Sequence, residues 1–257
     1  MNRRSFLLSG TLLAVAAAVD AEAAPATTTF KVDGLVALRA YQTLVEEHLG
    51  DVLGAIKALA ATTDAKSANW TAIKPALSVF AGNLTTAAAV WFAQPDGSYA
   101  TAEAGPVSET LKDRAYFPTL LAGRDIENSL VISKSTGHRS IIVATPVVGA
   151  GRVVGIIGVS LRARLISKLV TERAQLPDDL TFYALTSQGE TAIHRDPQRM
   201  FEYPSDLGDP SLKSAVTVIL SQPQGEVDYD FNGTHRTAAF NKSDLTGWHF
   251  VLAKIHK

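Results

Sequence analysis

The chain has 257 residues, 46% of them hydrophobic and 19% charged, with 24 Lys and Arg against 25 Asp and Glu. That length can bury a sizeable core, and the near-neutral balance excludes the basic footprint of a nucleic-acid binder or of a protein held on anionic lipid. The absence of cysteine excludes thiol catalysis, Cys-based metal sites, structural disulfides and lipid attachment at an N-terminal cysteine.

Residues 1–23 read as a signal peptide. Arg3 and Arg4 supply a basic start, Leu7 to Val19 an apolar stretch, and Ala21-Glu22-Ala23 a small-residue cleavage site. Arg3-Arg4-Ser5-Phe6-Leu7 fits a twin-arginine signal, with an ordinary Sec signal as the alternative. The apolar stretch falls short of the ~20 residues that span a bilayer. The expectation is a mature chain that is exported, periplasmic or secreted, and not inserted in the membrane. Residues 24–32 form a small-residue linker.

Asp33 then caps a long helix over residues 34–62. Leu35, Gln42, Leu49 and Ile56 recur every seven residues, as do Leu38, Val45, Val52 and Leu59. The two series make one apolar seam interrupted by Gln42. It is either a stripe packed on the chain's own core or a dimer seam. Its short run favours the first, and with it a monomer, at most weakly dimeric. A second helix is predicted over 70–81, then a strand over 87–93, a turn at Gln94-Pro95-Asp96-Gly97 and a return strand over 98–101.

The stretch from Asp113 to Leu161 carries the densest pattern. Asp113-Arg114-Ala115-Tyr116-Phe117 precedes three β-branched runs, at Ser129–Ser133, Ser140–Thr145 and Val153–Val159, separated by Ser-Thr-Gly and Gly-Ala-Gly turns. This reads as an antiparallel meander that completes a five-stranded sheet, its two later runs buried on both faces. A connecting helix over 162–175 follows. The pattern then repeats in smaller form: strands over 181–186 and 191–194, a helix over 209–221, a hairpin over 227–240 turning at Asn232-Gly233, and a last strand over 248–254. Two such rounds predict an α+β chain of two units, 33–175 and 176–257.

The order of parts, Asp-Arg-x-Tyr-Phe, strand, Ser-Thr-Gly, strand ending in Thr-Pro, then Gly-x-Val-Val-Gly-Ile-x-Gly, resembles the extracytoplasmic Cache sensor family. The resemblance implies a double Cache layout: a long N-terminal helix followed by two PAS-like antiparallel-sheet modules, the first of them membrane-distal and ligand-binding. In Cache receptors the final strand leads into a transmembrane helix and a signalling domain. This sequence ends just after that strand, so the expectation is a soluble ligand-binding protein with a separate membrane sensor as candidate partner.

In amino-acid-binding members an Arg-x-Trp-Tyr segment holds the ligand carboxylate, and tyrosyl and acidic side chains on the following strands hold its ammonium. Arg114-Ala115-Tyr116-Phe117 stands in the first place, while Val131, Ser133 and Ser160 stand where the ammonium partners would be. Arg offers a planar fork of donors suited to a carboxylate. The expected ligand-binding set is therefore Arg114, Tyr116 and Phe117, with Ser133, Ser160, Tyr99 and Trp91 as further candidates, and the expected ligand is a small organic acid. The alternative for Arg114 is a brace to Asp113 or another acid, and for the further candidates ordinary sheet packing.

No catalytic, cofactor or metal motif stands out. The six histidines lack the helical spacing of a metal pair, and Gly149-Ala150-Gly151 lies between two strands and does not open a helix. His194-Arg195-Asp196 is the nearest approach to a catalytic cluster, and a polar loop before Pro197 suffices to explain it. Two rival readings remain: an enzyme on a PAS-like scaffold, and an interaction module without a ligand.

Overall fold

A computed structural model describes residues 33–256. The predicted signal peptide, its cleavage site and the linker lie outside these residues. Asp33 caps α1 (Gly34–Ala60) by accepting the Leu35 N–H at 2.7 Å. At 27 residues the helix is ~40 Å long, enough to run across two sheets. The predicted seam faces inward. Leu38, Val45, Leu49 and Ile56 are fully buried within the chain, and Leu35 at the helix start is 43% exposed. The polar interruption has a role: Gln42 accepts from Asn241 Nδ2 at 2.8 Å and donates to Glu46, fastening the helix to the second sheet.

After α1 come a short α2 (Thr63–Lys66) that the sequence did not suggest, and α3 (Trp70–Asn83), capped by Asn69. The first sheet then forms from β1 (Ala87–Ala93), β2 (Tyr99–Thr101) and β3 (Gly105–Val107), followed by α4 (Phe117–Leu121) and the meander β4 (Ile126–Ile132), β5 (Arg139–Gly149) and β6 (Arg152–Arg162). The strand order is β3-β2-β1-β6-β5-β4, so the sheet has six strands where five were expected. The extra strand is β3. Gly105, with φ of +81°, reverses the chain, and Val107 pairs back on Tyr99. Pro106 hides this strand from a sequence reading, yet a proline is tolerated at a sheet edge because nothing beyond it needs the missing N–H.

One face of the sheet packs under α1. The other carries Ala89 and Trp91 of β1, Ile142 and Ala144 of β5, and Ile156 of β6, and is covered by Leu111, Tyr116, Phe117 and Leu120.

Helix α5 (Ala163–Ala174) carries the chain to the second sheet and ends on Gln175 in the left-handed region. Strands β7 (Leu180–Leu185) and β8 (Thr191–His194), helix α6 (Pro210–Ser221), and strands β9 (Gln224–Phe231), β10 (Thr234–Lys242) and β11 (His249–Ile255) follow. Their order is β8-β7-β11-β10-β9, all antiparallel. The β9–β10 turn has φ of +52° at Asn232 and +72° at Gly233, the geometry Asn-Gly favours. Leu212, Ala215, Val216 and Ile219 of α6 cover one face of this sheet. The opposite face meets α1, where Tyr41 lies 5.0 Å from Phe182 and 5.3 Å from Phe250, ring centre to ring centre. One helix thus seals both sheets. Two further bonds tie them together, Asn128 Nδ2 to the Thr246 carbonyl and Arg139 Nη1 to the Met200 carbonyl, each 2.8 Å.

Candidate functional site

The segment before α4 is held from both ends. At the β1–β2 turn Gly97, with φ of +92°, accepts the Leu111 N–H at 2.8 Å. A Cβ at Gly97 would sit 2.5 Å from Thr110 Oγ1 and 2.7 Å from Lys112 N, so a side chain there would push the segment away. From the β4–β5 turn, Lys134 donates to the Thr110 carbonyl and to Asp113 Oδ1, both at 2.6 Å. That ammonium holds the Asp113 carboxyl below its ordinary range.

Because Lys134 takes Asp113, Arg114 does not serve as its brace. Arg114 donates from Nη2 to the Ile132 carbonyl at 2.6 Å, and its Nε is buried with no hydrogen-bond partner. Among the described residues no carboxylate lies within salt-bridge distance of it. The guanidinium is thus aimed by one backbone bond, with donors left over. It lies near two phenols. Burial pushes Tyr116 and, less strongly, Tyr99 above the ordinary tyrosine range, and the Arg114 charge pulls both the other way.

A cleft of about 610 Å³ opens beside this segment. One wall is Asp113 to Tyr116 and Asn128 to Val131. The other belongs to the second sheet's turns: Thr186 to Gln188 and Glu190, then Lys242 and Thr246 to Trp248. Burial raises the Glu190 carboxyl, which has no ion-pair partner among the described residues. A cleft of this volume suits a small metabolite.

The structure brings some of the expected residues together and separates others. Arg114 and Tyr116 line the cleft. Tyr99 borders a smaller pocket of about 240 Å³ with Trp70, Phe92 and Val107. Trp91 and Phe117, 2% and 1% exposed, are core beneath the segment. Ser133 is buried in the β4–β5 turn beside Ser135, and Ser160 is buried on β6 opposite Ala89 and Ile142. The sheet face that carries Trp91 is therefore packed with side chains, and the open volume lies between the segment with β4 and the turns of the second sheet. Asn128, Glu190, Lys242 and Trp248 were missed. No local signal joins residues so far apart in sequence.

The other polar cluster has structural duties. Arg195 donates to the carbonyls of Leu176, Pro177 and Leu180. Asp196 caps the following turn by accepting the Gln198 N–H. Among the described residues no group of His, Asp and Glu is placed to hold a metal ion, and no helix is long and apolar enough to cross a membrane.

A family model for the Cache domain matches residues 33–255. The chain belongs to the Cache domain family. No curated protein matches it significantly. Among solved structures, the ligand-binding domain of the Pseudomonas aeruginosa chemoreceptor PctB in complex with L-Arg is similar at 17% identity and a TM-score of 0.67. The match covers 86% of this chain and 93% of that one. The ligand-binding domain of the Pseudomonas fluorescens chemoreceptor CtaA with L-isoleucine matches at 17% and 0.66, covering 86% and 89%. That of the Campylobacter jejuni chemoreceptor Tlp3 with 4-methylisoleucine matches at 12% and 0.65, covering 86% and 88%. At such identities these likenesses establish that the two-sheet Cache architecture is shared, and nothing about this Cache chain's ligand.

Proposed function

We propose that this Cache chain is an exported, sensor-type binding protein for a small organic acid, captured through Arg114, and that it is not an enzyme. Its two modules are 33–175 and 176–257. The chain acts outside the cytoplasm as a monomer and passes its ligand-bound state to a separate membrane sensor. The observation that carries the reading is Arg114 itself: a half-buried guanidinium at the wall of a cleft of about 610 Å³, without a carboxylate partner and with Nε buried and unbonded. Its Nη1 donors have no protein partner among the described residues and are not buried, so they remain available to a ligand carboxylate. Leu130 and Val131, half-buried on β4, offer apolar surface for the rest of the ligand.

Glu190 favours a second reading. It faces the same cleft without a counter-charge and would compensate the ammonium of an amino acid, the class bound by the chemoreceptor domains similar in fold. Calorimetry with a panel of organic acids and amino acids decides between the two. The first reading expects organic acids to bind and amino acids not to bind, with affinity unchanged by Glu190→Gln. The second expects amino acids to bind and Glu190→Gln to remove that binding. Either way Arg114→Ala abolishes binding, since each charge-assisted bond lost is worth about 1.5–3 kcal/mol, and Arg114→Lys weakens it, because a point charge lacks the planar fork. Wild-type affinity in Arg114→Ala would refute the site.

A further inference from the structure

The second sheet carries a small, partly open cavity of its own, of about 30 Å³, between the end of β8, the turns that follow it, and strands β9 and β10. A cavity needs about 10–15 Å³ to admit one water. This one therefore has room for one or two water-sized groups and is too small for an amino acid.

Its walls are rich in donors. The Asp196 N–H donates to His194 Nδ1 at 2.8 Å. In the neutral ring that bond places the proton on Nε2, which has no protein acceptor among the described residues. The imidazole is stacked on Tyr183, centroids 5.8 Å apart and planes 17° apart, so its direction is set. The Tyr183 and Tyr229 hydroxyls lie 3.4 Å apart and share a single hydrogen between them, leaving the other O–H free to donate. Arg199 and Arg236 hold their guanidinium groups 4.8 and 5.1 Å from the centre of the Phe231 ring.

Neither arginine is fully used. Arg236 bonds to Thr234 Oγ1 at 3.4 Å, and Arg199 approaches Asp196 at 3.6 Å. The one carboxylate in the lining, Glu202, is on the solvent-exposed side. Two cations, the imidazole N–H and a tyrosine O–H thus converge on a space whose acceptors are the neutral Thr191 and tyrosine hydroxyls and the exposed Glu202 carboxylate.

We infer that this cavity is a binding site for a small monovalent anion of formate, nitrate or chloride size, held by the His194 Nε2–H and by Arg199 and Arg236. The site is separate from the Arg114 cleft, and it stands whether or not that cleft binds an organic acid. Anion would bond to the second module alone and fasten the segment after β8 to β9 and β10.

The test is NMR of the histidine side chains in purified protein. Sodium gluconate, too large for the cavity, is replaced stepwise by sodium formate, nitrate or chloride at constant ionic strength. A saturable shift of the His194 Nε2–H resonance is expected for at least one of the three. Arg199→Gln and Arg236→Gln should each weaken it about tenfold or more, as loss of a charge-assisted bond does. Arg236→Lys, which keeps the charge if the Gln variant fails to fold, should retain measurable binding, and Arg114→Ala should leave it unchanged. A thermal midpoint higher in the shifting anion than in gluconate would corroborate it. The absence of a saturable shift with all three anions would overturn the inference. So would a shift unaffected in Arg199→Gln and Arg236→Gln, or one lost in Arg114→Ala.

Discussion

Gly158→Ala should destabilise the first sheet through one side chain, the Trp91 indole. Gly158 lies in the middle of β6, opposite Trp91 on β1. An added Cβ would stand 2.1, 2.3 and 2.5 Å from three atoms of the Trp91 ring. Ordinary carbon contacts are about 3.5–4.0 Å, so the ring would have to retreat by roughly 1.4 Å. It has little room, being 2% exposed and packed edge-on against Tyr99 at 6.5 Å. Overpacking of this kind costs about 1–3 kcal/mol, and a blocked retreat puts this case near the upper figure. For a chain of this size about 3 kcal/mol lowers the melting temperature by roughly 6–12 °C.

The cause is separable by a double-mutant cycle in thermal and urea unfolding. Trp91→Ala alone should cost about 3–5 kcal/mol by leaving a cavity. On that background Gly158→Ala should cost less than about 1 kcal/mol, since the ring is gone and alanine loses less backbone entropy than glycine. The expected coupling is then about 2–3 kcal/mol. An equal cost on both backgrounds would refute the steric reasoning.

Three further outcomes are expected. Burial, with the nearby Arg199 and Arg236 charges, lowers His194 to about 4, against the partial offset of Asp196. Between pH 6.5 and 4 the unfolded chain therefore binds the extra proton, and stability should fall with pH by at most about 3 kcal/mol. Burial lowers His48 and His249 in the same direction. His194→Gln should flatten part of this slope in urea midpoints at pH 4.5 and 7, and an unchanged slope would contradict it. Val45→Glu would bury an unpaired carboxylate at a fully enclosed position, costing several kcal/mol. It should unfold the chain, while wild type sediments as a monomer at micromolar concentration; a stable dimer that the variant dissociates without unfolding would overturn this. Arg3→Lys with Arg4→Lys should hold the precursor in the cytoplasm on fractionation, and normal export would eliminate the twin-arginine route.

Much of the fold was legible in the sequence because its signals are local. A cap at Asp33, an apolar seam along α1, β-branched runs and an Asn-Gly turn each depend on residues a few positions apart. These were enough to predict an N-terminal helix, two antiparallel sheets and the Arg114 segment. What stayed hidden depended on contacts between distant residues. β3 is a strand because β2 offers it an edge, although Pro106 speaks against it locally. The seam reads the same whether it meets a second chain or the two sheets, and packing on β5, β6, β10 and β11 decided that it is internal. Trp91 and Phe117 resemble pocket aromatics in sequence, but the closure of the segment onto the sheet makes them core. The cleft beside Arg114 takes its second wall from Glu190, Lys242 and Trp248, which only the seating of both sheets on one helix brings into place.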